Sequence, residues 1–168
     1  QNHGPMNIKV AEYGCLTLAN LARNDENRVT IAAAGGIPVV VGMINTHGTL
    51  VAEVASRGCL ALASLANNAE NRIAIAAAGG IPVIVVVVAI HGTTNELVAE
   101  YGCIAFFTIS SNNADNSVAI AAAGGIPVLV GVLKTYGATI EKVAAYGCGA
   151  MSNLISGSEI NNLFQFHL

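Results

Sequence analysis

One segment of fifteen residues occurs three times along this chain. It reads NRVTIAAAGGIPVVV from Asn27, NRIAIAAAGGIPVIV from Asn71 and NSVAIAAAGGIPVLV from Asn116. Residues outside the segment keep the same period. Cys15, Cys59, Cys103 and Cys148 are separated by 44, 44 and 45 residues, and Gly35, Gly79 and Gly124 by 44 and 45. His3, His47, His91 and Tyr136 hold the register too, and the one added residue lies between Cys103 and Asn116. A repeat of about 40–47 residues built from two or three helices cannot bury its apolar side alone and does so by stacking on its neighbours. The period therefore predicts a single stacked array across 1–168.

Each unit divides into three predicted helices. Asn or Asp stands just ahead of the run ending in IAAAG, a favourable N-cap, and the glycine after it suits the left-handed position that closes a helix. The Pro of GIP suits the first turn of a second helix, where its missing N–H has no intrahelical partner. That helix ends at THG, IHG or TYG. A third helix follows, in which Val10, Gly14, Leu18 and Leu21 share one face at i, i+4, i+8 and i+11. The run PVIVVVVAI is rich in β-branched residues and alone would read as a buried strand, but its register with PVVVGMINT and PVLVGVLKT assigns it to the second helix.

The sequence VAEYGCLTLANLA followed by NDENRVTIAAAGGIPVVV resembles the armadillo repeat. That family has a short first helix, a second helix opened by Gly-[Ile/Val/Leu]-Pro and a long third helix ending Ala-Leu-x-Asn-Leu-Ala. The resemblance covers nearly the whole chain. It implies an all-α, right-handed superhelical solenoid with three helices per repeat, whose third helices line a concave groove. The expected organisation is one domain, 1–168: a third helix alone over 5–23, full repeats over 24–67, 68–112 and 113–157, and the start of a further repeat over 158–168. Neither end shows a polar cap, so a larger parent array or end-to-end contacts are expected. The opening QNHGPMNIK has no initiator Met and no apolar leader, and reads as that of a fragment or processed product.

Several tempting motifs have plainer explanations. The stretch Ile73–Ile90 is eighteen apolar, Gly or Pro residues long, the length cue for a membrane span, but the repeat divides it at Gly79-Gly80-Ile81-Pro82 into two short helices. AAAGGIP lacks both the spacing and the Lys of a phosphate loop; it reads as a joint between helices. Equivalent cysteines on helices about 8–10 Å apart stand too far apart for disulfides, which need Cα atoms about 4.4–6.8 Å apart, and too far apart to share a metal. They read as free, buried small residues of a reducing compartment. The histidines read as partners of the last carbonyls of the second helix. Glu12 and Glu100 are repeat-equivalent and read as solvated or helix-linking. No nucleophile elbow or carboxylate pair stands out, so the reading is of no enzyme, no metal and no cofactor. A net charge of −3 supplies no basic footprint for nucleic acid.

In groove-binding members of the armadillo family an Asn near the end of the third helix holds the backbone of an extended peptide. The matching row here is Asn20, Ser64, Thr108 and Asn153. One turn earlier, where importin-like members carry Trp, stand Leu16, Leu60, Ile104 and Gly149, which argues against binding of basic peptides. A further turn back are Tyr13, Arg57, Tyr101 and Tyr146, residue types favoured at binding hot spots. The candidate groove is thus Tyr13, Leu16, Asn20, Arg57, Ser64, Tyr101, Thr108, Tyr146 and Asn153. On the second helix, with Ile84, Val85 and Val88 in the core, Val83, Val86, Val87 and Ile90 form a candidate assembly surface. The expected function is a non-catalytic scaffold that binds an extended segment of another protein, in an intracellular, cytoplasmic or cytoskeleton-associated setting. The alternative is a structural subunit of a larger or filamentous assembly, joined through open repeat ends and an apolar outer face. Membrane association is the weakest reading, because no basic flank seeks anionic headgroups.

Overall fold

The computed structural model describes the backbone of residues 4–165 and the side chains of 7–157. Among these residues there is helix and no strand. After α1 (Gly4–Leu21) a set of three helices occurs three times: α2 (Asp25–Ala33), α3 (Gly36–Met43) and α4 (Ala52–Leu65); α5 (Ala69–Ala77), α6 (Gly80–His91) and α7 (Glu96–Ser110); α8 (Ala114–Ala122), α9 (Gly125–Tyr136) and α10 (Glu141–Gln165). The long helices α1, α4, α7 and α10 pack side by side in that order.

Local chemistry sets each boundary of the short helices. Asn24, Asn68 and Asn113 adopt extended backbone, and their side chains accept from the backbone N–H groups of Asn27, Asn71 and Asn116, closing one of the free donors of a helix start. Gly35, Gly79 and Gly124 have φ of +80°, +78° and +90°. The next glycine serves a different purpose. A Cβ on Gly36, Gly80 or Gly125 would stand 2.8, 2.9 or 2.8 Å from the carbonyl oxygen of Ile31, Ile75 or Ile120. The first glycine permits the turn and the second permits the following helix to start against the preceding one. The two helices then meet at 80°, 78° and 80° in the three units.

No single described helix is long and apolar enough to cross a membrane, and the run from Ile73 to Ile90 is broken by the 78° bend. The core lies between the second and third helices. Ile84, Val85 and Val88 of α6 and Val98, Cys103, Phe106 and Ile109 of α7 are all buried. Each aliphatic side chain of this kind contributes about 1.5–3 kcal/mol by leaving water.

The added residue of the third unit is absorbed in the turn after α7. Asn112 takes a left-handed conformation, φ +51°, which Asn tolerates better than other side-chain-bearing residues, and Asn113 still caps α8. α10 runs unbroken to Gln165, with no turn corresponding to those after α1, α4 and α7. His3 and the side chains of 158–168, part of the predicted next repeat, lie outside the described residues.

Gly14, Gly58, Gly102 and Gly147, each one residue before a register cysteine, face a side chain of a neighbouring segment: Met43, Ile44, Val88 and Leu133. A Cβ at Gly102 would overlap Val88, and one at Gly147 would stand 2.8 Å from Leu133 Cδ2. The missing Cβ leaves a notch in each long helix for that side chain.

Gly80→Ala is expected to lower unfolding free energy by about 1–3 kcal/mol through overpacking against Ile75. Gly42, with no neighbouring heavy atom within 4 Å of an added Cβ, serves as the contrast: Gly42→Ala is expected to raise it by about 0.5–1 kcal/mol. Urea titration of both variants checks the pair, and equal effects would contradict the close approach at Gly80.

Candidate functional site

The row one turn before the cysteine register lies on successive long helices: Tyr13 on α1, Arg57 on α4, Tyr101 on α7 and Tyr146 on α10. Tyr13 is exposed and the other three are half-buried. Leu16, Ser64, Thr108 and Asn153 are also half-buried, whereas Asn20 is exposed. Two of the predicted peptide-holding groups are already engaged within the chain. Thr108 Oγ1 donates to the carbonyls of Ile104 and Ala105 at 2.9 and 3.2 Å. Asn153 Nδ2 donates to Ser110 Oγ at 3.0 Å and to Phe107 O at 3.4 Å. The Asn153 amide nitrogen thus ties α10 to α7.

Charges on this face are concentrated between α1 and α4. Glu12, only 4% exposed, accepts a hydrogen bond from Lys9 at 2.7 Å and forms an ion pair with Arg57 Nη2 at 3.0 Å. Tyr13 lies between the two cations, its ring centroid 5.7 Å from Lys9 Nζ and 5.6 Å from the Arg57 guanidinium carbon. The hydrogen bond from Lys9 holds the Glu12 carboxyl below its usual range, and its reciprocal raises Lys9. On the opposite side Lys142 of α10 donates to Glu100 of α7 at 2.7 Å. Both repeat-equivalent carboxylates link one long helix to the next. Phe107 joins the face as well: its ring meets that of Tyr146 at 5.6 Å with a 59° tilt. Its repeat equivalents are Ala19, Ala63 and Ser152, so the break in the pattern was the available signal.

A second polar system, absent from the predicted site, runs along the ends of the long helices. Asn71 Nδ2 donates to Leu65 O and to Arg28 O at 3.0 and 3.2 Å. Asn116 Nδ2 repeats this with Ile109 O and Arg72 O, both at 3.1 Å. Each amide closes a helix C-terminus and binds two short helices of adjacent units. The signal lay in the recurrence of a second Asn three residues after the cap. His91 also acts between units, its Nε2 standing 3.0 Å from the Gly48 carbonyl, whereas the sequence predicted a bond within its own helix. Tyr136 takes the equivalent place, donating to Thr93 O at 3.4 Å.

Two further expectations are corrected. Cys15, Cys59 and Cys103 are buried, but Cys148 is exposed on α10, because the preceding three are covered by the next long helix. Burial pushes the Cys59 and Cys103 thiols up to about 12 and Cys15 to about 11. Val87, assigned to the outer assembly surface, is 1% exposed and packs on Gly48, the last residue of the π-helical turn Ile44–Gly48 that continues α3. Val86 and Ile90 remain about half exposed, at 46% and 48%. Pro82, Val83 and Val86 line a shallow apolar cleft of ≈ 250 Å³ with Ile44, Asn45 and Thr49. Among the described residues no three His, Cys, Asp or Glu side chains converge on a point that could hold a metal.

No family model and no curated protein matches this chain. Three crystal structures of engineered proteins are similar to it. They align with TM-scores of 0.73, 0.71 and 0.72 at 26%, 31% and 26% identity, over 92%, 83% and 83% of this chain. The chain spans 63%, 32% and 55% of their respective lengths. The likeness is one of helical fold.

Cys148 alone is expected to react promptly with a maleimide in the native chain, giving one adduct by intact mass, against four after denaturation. Prompt multiple labelling without denaturant would contradict the burial of the other three.

Proposed function

We propose that this chain is a non-catalytic protein-binding scaffold, built as a right-handed solenoid of armadillo repeats, that holds an extended segment of a partner protein along the face of α1, α4, α7 and α10. The observation that carries the reading is the row Tyr13, Arg57, Tyr101 and Tyr146, with Asn20 and Asn153 nearby, placed on four consecutive long helices by one sequence period. Helices pack about 8–10 Å apart and an extended chain advances about 3.3 Å per residue. A segment crossing the row therefore presents a side chain to each helix about every third residue. Tyr and Arg supply broad contact area at modest cost in rotamer freedom. The armadillo resemblance supports the same reading, as does the engagement of both candidate carboxylates in helix-to-helix ion pairs. An intracellular location, without cofactor or nucleic acid, belongs to this proposal.

Linear peptides selected from a random library on the immobilised chain provide the test. Binding is expected to fall about tenfold or more in Tyr101→Ala and in Asn20→Ala, the loss of one or more contacts worth ~1.4 kcal/mol each. Unchanged affinity in both variants would remove this face from the function.

A second reading, a structural subunit of a larger assembly, draws on the outer side of the second helices, where Val86 and Ile90 stand half exposed beside the apolar cleft. It predicts a mass by light scattering that rises with concentration and returns to that of the monomer in Val86→Lys; a mass independent of concentration would dismiss it.

A further inference from the structure

One position in the first turn of the short helices is arginine in two units and serine in the third. Arg28, Arg72 and Ser117 follow Asn27, Asn71 and Asn116 in register. Both guanidiniums sit on backbone carbonyls at the end of a long helix. Arg28 Nε donates to Ala22 O at 2.7 Å, and Arg72 Nε to Ala66 O at 2.9 Å. Arg72 also spans to the following long helix, where its Nη1 donates to Ser111 O at 2.9 Å. It does so without the carboxylate that Arg28 finds in Asp25, because Ala69 stands at that place in the second unit and Ala114 in the third. Ser117 keeps a remnant of the contact, its Oγ standing 3.4 Å from the equivalent carbonyl of Ser110. Beside it opens a cleft of ≈ 440 Å³ lined by Ser110, Asn113, Ser117, Asn153, Ser156 and Gly157. Ser110 and Ser156 are the register equivalents of Ala66 and Ser111. The cleft therefore lies where a third arginine would reach between α7 and α10.

We infer that this cleft is a docking pocket for an arginine side chain of the partner, whose guanidinium takes the place that Arg72 fills one unit earlier. The inference rests on the proposed scaffold reading and specifies one residue of the bound segment. Among the described residues no charged side chain lines the cleft, and its polar groups offer acceptors. The Ser110 carbonyl closes α7, and the last carbonyls of a helix favour a cation. Asn153 engages its amide nitrogen alone, and its Oδ1 accepts no hydrogen bond among the described residues. Ser156, exposed on α10, presents a hydroxyl. Because α10 continues as helix past Ser156, these side-chain oxygens stand in for the carbonyl that Ser111 offers Arg72. A planar fork of donors reaches separated acceptors at once, whereas an ammonium is a compact point charge. Asp115 in the first turn of α8 is in no ion pair among the described residues. Its equivalents Glu26 and Glu70 share their turn with Arg28 and Arg72, so the third unit lacks the cation that the other two carry. Arg72 stands one unit away, the interval that already separates Arg28 from Arg72. Asn153 also belongs to the groove row, which puts the pocket at the α10 end of the proposed path and calls for a single arginine there rather than a basic tract.

The test titrates N-acetyl-arginine methylamide into the full, isotope-labelled chain and follows the backbone amides by NMR. Saturable shifts are expected at Asn113, Ser117 and Gly157, with an affinity several-fold above that of the matching lysine and citrulline methylamides. Ser117→Arg fills the cleft from within, and is expected to abolish those shifts and to raise the melting temperature. Gly157 packs closely on Ser117, so Ser156→Lys, at an exposed position, decides the matter if Ser117→Arg does not fold. It is expected to weaken the probe several-fold through like charge. Lys134→Gln, on α9, should leave the shifts intact. Peptides that a random library yields on the unaltered chain but not on Ser117→Arg are expected to carry an arginine. Absence of shifts at these amides, equal affinity for the three probes, or affinity unchanged in both variants overturns the pocket. Selected peptides without arginine overturn its assignment to the partner. Failure of the scaffold reading is distinct, because the probe is a single residue: there Tyr101→Ala and Asn20→Ala leave library-selected peptides bound as before while the amide shifts persist.

Discussion

The corner between each short helix and the helix that follows fixes the geometry on which the rest depends. Two adjacent glycines make it in different ways, one by adopting positive φ and the other by leaving no side chain against the carbonyl of the isoleucine five residues earlier. That isoleucine fills the angle: Ile75 and Ile120 are fully buried. The result is nearly the same bend in every unit, between 78° and 80°. Because the direction of the second helix follows from the corner, so does the seat it offers to the long helix. Constancy of the bend is what allows four long helices to align and present equivalent residues on one face.

The stack is then tied together largely by side chains that bond backbone carbonyls of the neighbouring unit. With 10% charged residues, the chain has few ions to spend on its interior, and a buried ion pair carries a desolvation penalty that can exceed its attraction. Amides and rings perform the task. Asn71, Asn116, His91 and Tyr136 each reach a carbonyl of the preceding unit, across 43 or 44 residues of sequence. These bonds satisfy carbonyls that helix ends and turns would otherwise leave open. The ion pairs between units join the long helices, α1 to α4 and α7 to α10.

Legibility followed the periodicity. Helix order, the Asn caps, the Gly-Gly joint and the core stripe of Ile84, Val85 and Val88 could be read directly, because each depends on neighbours within a few residues and each was written three times. Side chains whose environment comes from another unit were harder to place. Val87 looks like an outward residue on its own helix, yet Gly48 of the preceding unit opens a space for it. Asn71 and Asn116 look like second-rank capping residues, yet their amides span units. Phe107 and Arg57 acquire meaning only by departing from the repeat at their positions.

The sequence by itself determined the period, the helices, their boundaries and the rows of equivalent residues, since these arise from local backbone preference and from a pattern repeated in register. Only the tertiary structure decided which members of a row differ in state. Cys148 is exposed where Cys15, Cys59 and Cys103 are buried, and Arg57, whose equivalents are tyrosines, forms an ion pair with Glu12 of the neighbouring long helix. The physical reason is that burial and hydrogen-bond satisfaction belong to the space between helices. That space is shaped by residues about 44 positions apart, and no single repeat encodes it.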